Sequence, residues 1–274
     1  MKFLSWNIDS LNAALMGTSA RSELSRAVLR TLQEEQADFI AIQETKLPEA
    51  GPGKKHKEGL LQYFPDYHYD WVSSCQPARK GYAGCMLLYR KDYEPVITHP
   101  VIGAPEPMDC EGRIITAEMH DFYFTLVYTP NAGDGLRRLE ERQVWDKRFQ
   151  EYISQLDQKK PVILCGDFNV AVEAIDLAHP ESNHRSPGFT DEERTGFRAL
   201  LAGGMTDTFR HVHGPVEGQY TWWAQRVRTS KVNNSGWRID YFLVSDRLGD
   251  RILRSDMVNS GSRQDHTPIL LEIQ

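Results

Sequence analysis

Residues Val162–Ala171, VILCGDFNVA, decide how this chain folds. Four apolar residues, Val162 to Cys165, run without a break and stop at Gly166. Such a run reads as a buried strand. Asp167 and Asn169 follow, spaced to share one face. Gly, Asp and Asn are turn formers, so a plain turn is one explanation. Strand ends also carry binding and catalytic groups, so a site is the other. This stretch alone leaves both open, and the rest of the chain decides.

The length of 274 residues suits one domain, 1–274, with a sizeable core. No apolar run approaches the roughly 20 residues that span a bilayer. The opening, MKFLSWNIDSLNAALMG, has a polar, acidic middle and predicts no signal peptide. The four cysteines, Cys75, Cys85, Cys110 and Cys165, form no CxxC pair. Reduced thiols in a cytoplasmic, monomeric protein are expected. A net charge of −6 argues against a broad polyanion binder but leaves room for a local basic face.

Residues 20–36 pattern as an amphipathic helix with Leu24, Ala27, Val28, Thr31 and Leu32 on one face. Arg137–Leu156 and DEERTGFRALLAGG, closed by Gly203 and Gly204, pattern as two more. Strands are expected at 2–6, 38–42, 69–73, 84–89, 113–118, 122–128, 162–165, 220–224, 238–244 and 267–273. Segments 49–57 and 98–112 read as loops, and 113–118 with 122–128 as a hairpin. Several strand pairs lie too close for crossover helices. The mixture predicts sheets packed face to face with helices outside.

The strand ends share a property. FLSWNID runs into Asn7 and Asp9, DFIAIQE into Glu44, FTLVYTPN into Tyr128 and Asn131, and VILCGDFN into Asp167 and Asn169. RIDYFLVS starts at Asp240, and QDHTPILLEI at Asp265 and His266. One acidic strand end is ordinary, whereas six polar ends point to a common rim. Five carboxylates on one rim repel each other, so a divalent cation is expected to offset them. Oxygen donors without clustered thiolates favour Mg²⁺, with Mn²⁺ as substitute. Such an ion, a carboxylate base, amide donors and an imidazolium suit in-line attack of water on a phosphodiester.

These residues resemble the exonuclease III type of abasic-site (AP) endonuclease, in the endonuclease/exonuclease/phosphatase superfamily. The resemblance runs through AIQETK, KGYAG, EGRIIT, YTPNAGDGLRRLEERQVWD, GDFNVA, GFTDEER, TDTFR, YTWWAQ, GWRIDYFLVS and QDHTPI, in order along the whole chain. It implies an α/β fold of the α+β type, a four-layered α/β sandwich of two packed β-sheets flanked by helices. It implies double-stranded DNA with abasic sites as substrate, cut on the 5′ side to leave a 3′-hydroxyl. Exonuclease action in the 3′→5′ direction and 3′-end cleaning are related activities. By the same resemblance, Glu44 is the principal metal ligand with Asn7 and Asp9 beside it, and Asp265 is placed at a second ion. Asp167 orients or deprotonates the water, assisted by Asn169, and both face the metal with His266. His266 meets the scissile phosphate and Asp240 orients it. Tyr128 and Asn131 contact phosphate.

The chain departs from the family in places. Relatives carry Gly-Leu-Arg or Gly-Ile-Arg soon after the first Asn. Here Asp9, Ser10, Leu11 and Asn12 follow, without the basic residue. Asp134 stands where some relatives place an Arg that enters DNA, and Gln264 where Ser is common. Lys54, Lys55, Lys57, Arg79, Lys80, Arg185, Arg226, Arg228 and Lys231 are candidates for the DNA face. Trp222, Trp237 and Ile239 are expected to wall a pocket for a flipped, baseless sugar, with Arg226 filling the hole left in the duplex. The other histidines, His211 and His213 included, read as surface or structural, with HVHGPVEG an exposed turn. A phosphatase of the same fold is disfavoured, because DRIL at Asp250–Leu253 lacks a preceding Trp and stands outside the motif order. A secreted DNase would want a leader and disulfides. A catalytically dead scaffold would have lost Glu44, Asp167 or His266, and all are present.

Overall fold

The computed structural model describes residues 1–274. The chain opens with β1 (Lys2–Asn7), α1 (Leu11–Met16), α2 (Ala20–Glu35), β2 (Phe39–Gln43), α3 (Lys54–Tyr63), β3 (Tyr67–Val72) and β4 (Cys85–Arg90). It continues with β5 (Val96–Thr98), β6 (Ile114–Glu118), β7 (Tyr123–Tyr128), α4 (Leu139–Asp157), β8 (Val162–Asp167), α5 (Pro180–Asn183), α6 (Asp191–Ala202), β9 (Met205–Asp207) and α7 (Thr208–His213). It closes with β10 (Trp222–Trp223), β11 (Gly236–Trp237), β12 (Asp240–Ser245), β13 (Ile252–Met257), β14 (Asp265–His266) and β15 (Ile269–Ile273).

Two six-stranded sheets result, ordered β13-β15-β1-β2-β4-β3 and β5-β6-β7-β8-β12-β9. The VILC run shows why they stack. Ile163 and Cys165 point into the core shared by the two sheets, beside Phe3, Phe39, Phe124 and Phe242. Val162 and Leu164 point the other way, onto Trp145, Phe149 and Ile153 of α4 and Phe197 of α6. Strand residues alternate faces, so a strand covered on both sides must be apolar throughout. On the first sheet, Leu4, Ile40 and Ile42 meet Val28, Leu29 and Leu32 of α2. The order helix, sheet, sheet, helix is the four-layered sandwich expected. Gly166 ends the run for a steric reason. Its φ is +143°, and a Cβ there would lie 1.8 Å from the Val127 carbonyl oxygen of β7.

Several local expectations change. The buried face of α2 is Ser22, Ser25, Val28, Leu29 and Leu32, while Leu24 is exposed. A hydrophobic pattern misses buried serines, and Ser25 is held by a 3.0 Å bond from buried Arg263. The loop 49–57 becomes helical at Lys54, where His56 Nδ1 accepts from Gly53 N at 3.1 Å. His211 and His213 lie in α7, not in a turn, and His213 Nε2 meets the Ser255 carbonyl at 2.8 Å. The strand 220–224 shrinks to two residues, joined with β11 and β14 in a small third sheet that the sequence reading did not include. The hairpin of β6 and β7 is as expected.

The connection into β12 rests on a buried ion pair. Asp176 and Arg238 are 1 % and 2 % exposed. Arg238 Nε reaches Asp176 at 2.8 Å, and Arg210 reaches the same oxygen at 2.5 Å. Burial opposes ionisation of Asp176, but the two guanidiniums outweigh it and hold its pKa below the ordinary value. A lowered folded pKa contributes stability above the unfolded pKa and loses it as pH falls through the folded value. Asp176→Asn is therefore expected to lose about 3–5 kcal/mol near pH 7, the cost of breaking a buried pair. The deficit should shrink below about pH 4. Urea unfolding of both proteins at the two pH values checks this, and an equal deficit at both would exclude the ion pair as its cause.

Candidate active site

Topology gathers the polar strand ends on one rim. β1 and β2 run parallel, linked through α2, so Asn7 and Gln43 end side by side with Glu44 next. β7 and β8 run parallel through α4, so Tyr128 pairs with Asp167. β12 runs antiparallel to β8, and its first residue, Asp240, faces Asp167. β14 then brings Asp265 and His266 against Trp223 and Trp222. Backbone strain marks the same place. Of ten non-glycine residues with positive φ, five are Asp9, Glu44, Lys46, Asn169 and Asp265. Such conformations persist where surrounding contacts over-determine them.

A cavity of about 330 Å³ opens between the sheet ends. Its lining combines polar groups, Asp9, Glu44, Tyr128, Asn131, Asp167, Asn169, Asp265 and His266, with the apolar Trp222, Trp237 and Ile239. Asp167 is 1 % exposed and held on both oxygens. Oδ2 accepts from Asn7 Nδ2 at 2.9 Å, and Oδ1 from the Asn169 backbone N–H at 2.8 Å. His266 Nδ1 meets Asp240 at 2.8 Å, and its Nε2 lies 3.7 Å from Asp167. Burial raises the Asp167 pKa more than His266 and its donors lower it. Burial disfavours the His266 imidazolium, but Asp240 and Asp167 outweigh it and raise its pKa. Burial likewise raises Tyr128 well above the ordinary phenol. Asn7 Nδ2 also donates to Glu44 at 3.1 Å, and Asn131 to Asn169 Oδ1 at 3.3 Å.

Buried Arg142 of α4 sets the loops carrying these groups. It donates to the Pro130 and Phe168 carbonyls at 2.8 Å each. Its partner Glu193 accepts from Gly188 N at 2.8 Å, fixing the cavity wall at Gly188.

Two cations that the strand-end pattern did not single out enter the rim. Lys46 Nζ lies 3.0 Å from both Asp9 and Glu44. Arg21 Nη2 lies 2.8 Å from Asp9 and 3.4 Å from Asp265. Burial would raise the Asp9 pKa, but Lys46 and Arg21 outweigh it and lower it. Lys46 was legible in the QETK motif, two residues after Glu44. Arg21 carried no signal, since a helical Arg is ordinarily solvated. The rim thus holds five carboxylates, Asp9, Glu44, Asp167, Asp240 and Asp265, against Arg21, Lys46 and the His266 imidazolium. The cations balance part of the carboxylate charge from within the protein. Asp167, Asp240 and His266 offer ligand atoms within 4.8 Å of one another, and Asp9, Glu44 and Asp265 line the cavity onto which Asp167 and His266 open. The donor set, oxygen-rich and without thiolates, fits Mg²⁺ or Mn²⁺.

The family model for endonuclease/exonuclease/phosphatase proteins matches residues 4–258. The chain belongs to this family. It is 65% identical over 273 residues to an exodeoxyribonuclease of Streptococcus pneumoniae, covering 100% of this chain and 99% of that protein. It is 38% identical to the DNA repair nuclease APEX1 of Danio rerio, covering 99% of this chain and 81% of that one. An AP endonuclease structure from Leishmania major superposes with a TM-score of 0.81 at 25% identity, over 100% of this chain and 87% of that one. The resemblance to the exonuclease III branch of the family is borne out, and with it an enzyme, a hydrolase of the nuclease kind.

The residues expected on the DNA side divide. Trp222 and Trp237 are half-buried and meet edge to face, centroids 6.1 Å apart, with Ile239 beside them on the cavity wall. Trp223 turns into the structure and bonds Asn234 at 3.2 Å. Lys80, Arg185 and Arg226 are exposed and lie outside the cavity lining, and Arg185 is 3.5 Å from Glu192. Lys231 is not a free surface cation. It donates to Ser260 at 2.6 Å and to the Arg263 carbonyl, and burial with Arg263 nearby pushes its pKa down to about 8. No helix is long and apolar enough to cross a membrane.

Proposed function

We propose that this enzyme hydrolyses the DNA backbone on the 5′ side of an abasic site, leaving a 3′-hydroxyl. The same site would trim and clean 3′ ends. One observation carries the reading: the buried Asp167–His266 pair opens onto the same cavity that Trp222, Trp237 and Ile239 line. An acid–base pair thus shares a small cavity with an apolar cluster of two indoles and an isoleucine. A deoxyribose without a base matches such a recess, and flipping it costs little because no base pair is broken.

Asp167 takes a proton from the attacking water, and Asn169 and Asn7 hold its carboxylate for that task. A pKa raised by burial brings it nearer neutral pH, where a base works best. Asp240 fixes the His266 ring, whose Nε2–H donates to a non-bridging phosphate oxygen. Tyr128 and Asn131 donate to the same phosphate. Glu44, Asp9 and Asp265, with Asn7 alongside, would hold Mg²⁺, with Asp167, Asn169 and His266 facing it. That ion supplies Lewis-acid stabilisation of charge on the phosphate oxygens. With a net charge of −6, DNA must be held by local cations, and exposed Lys80, Arg185 and Arg226 serve there.

Trp237→Ala tests the reading of the recess. Its ring is half-buried, packed against Trp222 and, edge on at 6.2 Å, against Phe189. The expected result is a nearly unchanged melting temperature and a smaller preference for abasic over undamaged duplex. A core role would instead cost roughly 3–5 kcal/mol with preference intact. A stable variant that still discriminates like the parent would place the recess elsewhere.

A further inference from the structure

A side chain on a helix outside every motif reaches both the rim and the segment that carries the recess wall. Arg21 lies in the first turn of α2, capped by Ser19. A cation is disfavoured at a helix N-terminus, where the backbone dipole is positive. Its placement therefore needs partners elsewhere, and it has four, the Gln264 carbonyl at 3.5 Å from Nη1 being the most distant. Nε and Nη2 donate to Asp9 Oδ2 at 3.2 and 2.8 Å. Nη2 reaches Asp265 Oδ2 at 3.4 Å. With its amide oxygen facing Arg21, Gln225 accepts from Nη1 at 3.0 Å and Nε at 3.1 Å. The other Asp265 oxygen accepts from Trp222 Nε1 at 2.7 Å. Asp9 and Asp265 both hold positive φ, so each carboxylate stands on a constrained turn. Arg21 thus links the two carboxylates on the metal side to Gln225 and, through Asp265, to the indole that walls the recess.

We propose that Arg21 is a positioning residue that couples the metal-holding carboxylates to the recess wall, and that it weakens ion binding there in exchange for geometry. This inference rests on the proposed function of the cavity. Its guanidinium neutralises the pair Asp9 and Asp265 and competes with an incoming cation. It also fixes their separation and the seat of Trp222. Removing it should therefore strengthen ion binding while weakening catalysis. A residue with a merely structural role would not part the two in opposite directions.

Three proteins, wild type, Arg21→Met and Arg21→Lys, would be titrated with Mn²⁺ by calorimetry. They would then be assayed on an abasic duplex at saturating Mn²⁺, with melting temperature recorded at the same Mn²⁺ concentration. Arg21→Met is expected to bind Mn²⁺ roughly tenfold more tightly, the effect of removing one partly screened charge. Its turnover should fall roughly tenfold with melting temperature retained, since small misplacement at a reacting centre is costly. Arg21→Lys should bind Mn²⁺ like wild type yet turn over slowly, because an ammonium lacks the guanidinium fork. Unchanged or weaker Mn²⁺ binding by Arg21→Met, or unchanged turnover, overturns the inference alone. A wild type that neither binds Mn²⁺ nor cuts overturns the function of the cavity as well.

Discussion

Asp167→Asn is expected to lose on the order of 10²–10⁴ in incision rate, the usual contribution of a general base. The variant keeps the size and shape of the side chain, and it keeps an acceptor for Asn7 or for the Asn169 backbone N–H. What it loses is the site that takes the proton. Stability should move the other way. Burial raises the Asp167 pKa in the folded protein. A raised carboxyl pKa means that the ionised form costs folding free energy at neutral pH, a cost that shrinks as pH falls below the folded value and is gone below the unfolded one. In EDTA at neutral pH the Asn variant should therefore melt no lower than wild type. This opposition of activity and stability is usual where a site stores an unfavourable charge. Single-turnover incision with a parallel thermal melt is the check. A variant within a few-fold of wild-type rate would remove Asp167 from the role of base. A large fall in melting temperature would show that the side chain mainly holds the fold.

Much of this was legible in the sequence, for a physical reason. Strands covered on both faces must be apolar, so VILC, FIAI and YFTLV announce themselves, and their abrupt polar ends mark the rim. The main helices were visible from their periodicity, and α6 also from its closing glycines. Short elements were not. β10, β11 and β14 have two residues each and form only because the flanking turns bring Trp222, Trp237 and His266 together. The buried face of α2 was misplaced because Ser22 and Ser25 are buried by hydrogen bonding, which a hydrophobic pattern does not weigh. The site carboxylates were legible as strand ends, but their neutralisation was not. Lys46 and Arg21 balance them from within the protein, so the need for an outside cation is smaller than five unpaired carboxylates implied. Lys231 fails as a DNA-facing cation for the opposite reason, since its ammonium is already spent on Ser260 and the Arg263 carbonyl.

Metal removal is expected to abolish activity. Arg21, Lys46 and the His266 imidazolium balance only part of the charge of five carboxylates gathered on one rim. A phosphodiester would bring another negative charge into the same cavity. Lewis-acid stabilisation of the phosphate oxygens is the component that no side chain here replaces. Glu44→Ala should weaken Mg²⁺ affinity together with rate if Glu44, held by Asn7 at 3.1 Å and Lys46 at 3.0 Å on the cavity wall, is the proposed ligand. The direct test is incision of a duplex oligonucleotide bearing one central abasic site, with Mg²⁺, with EDTA, and with Mg²⁺ restored after EDTA. One cut on the 5′ side leaving a 3′-hydroxyl is expected, lost in EDTA and regained with Mg²⁺. Full incision in EDTA, or no preference for the abasic strand over an undamaged one, would contradict it.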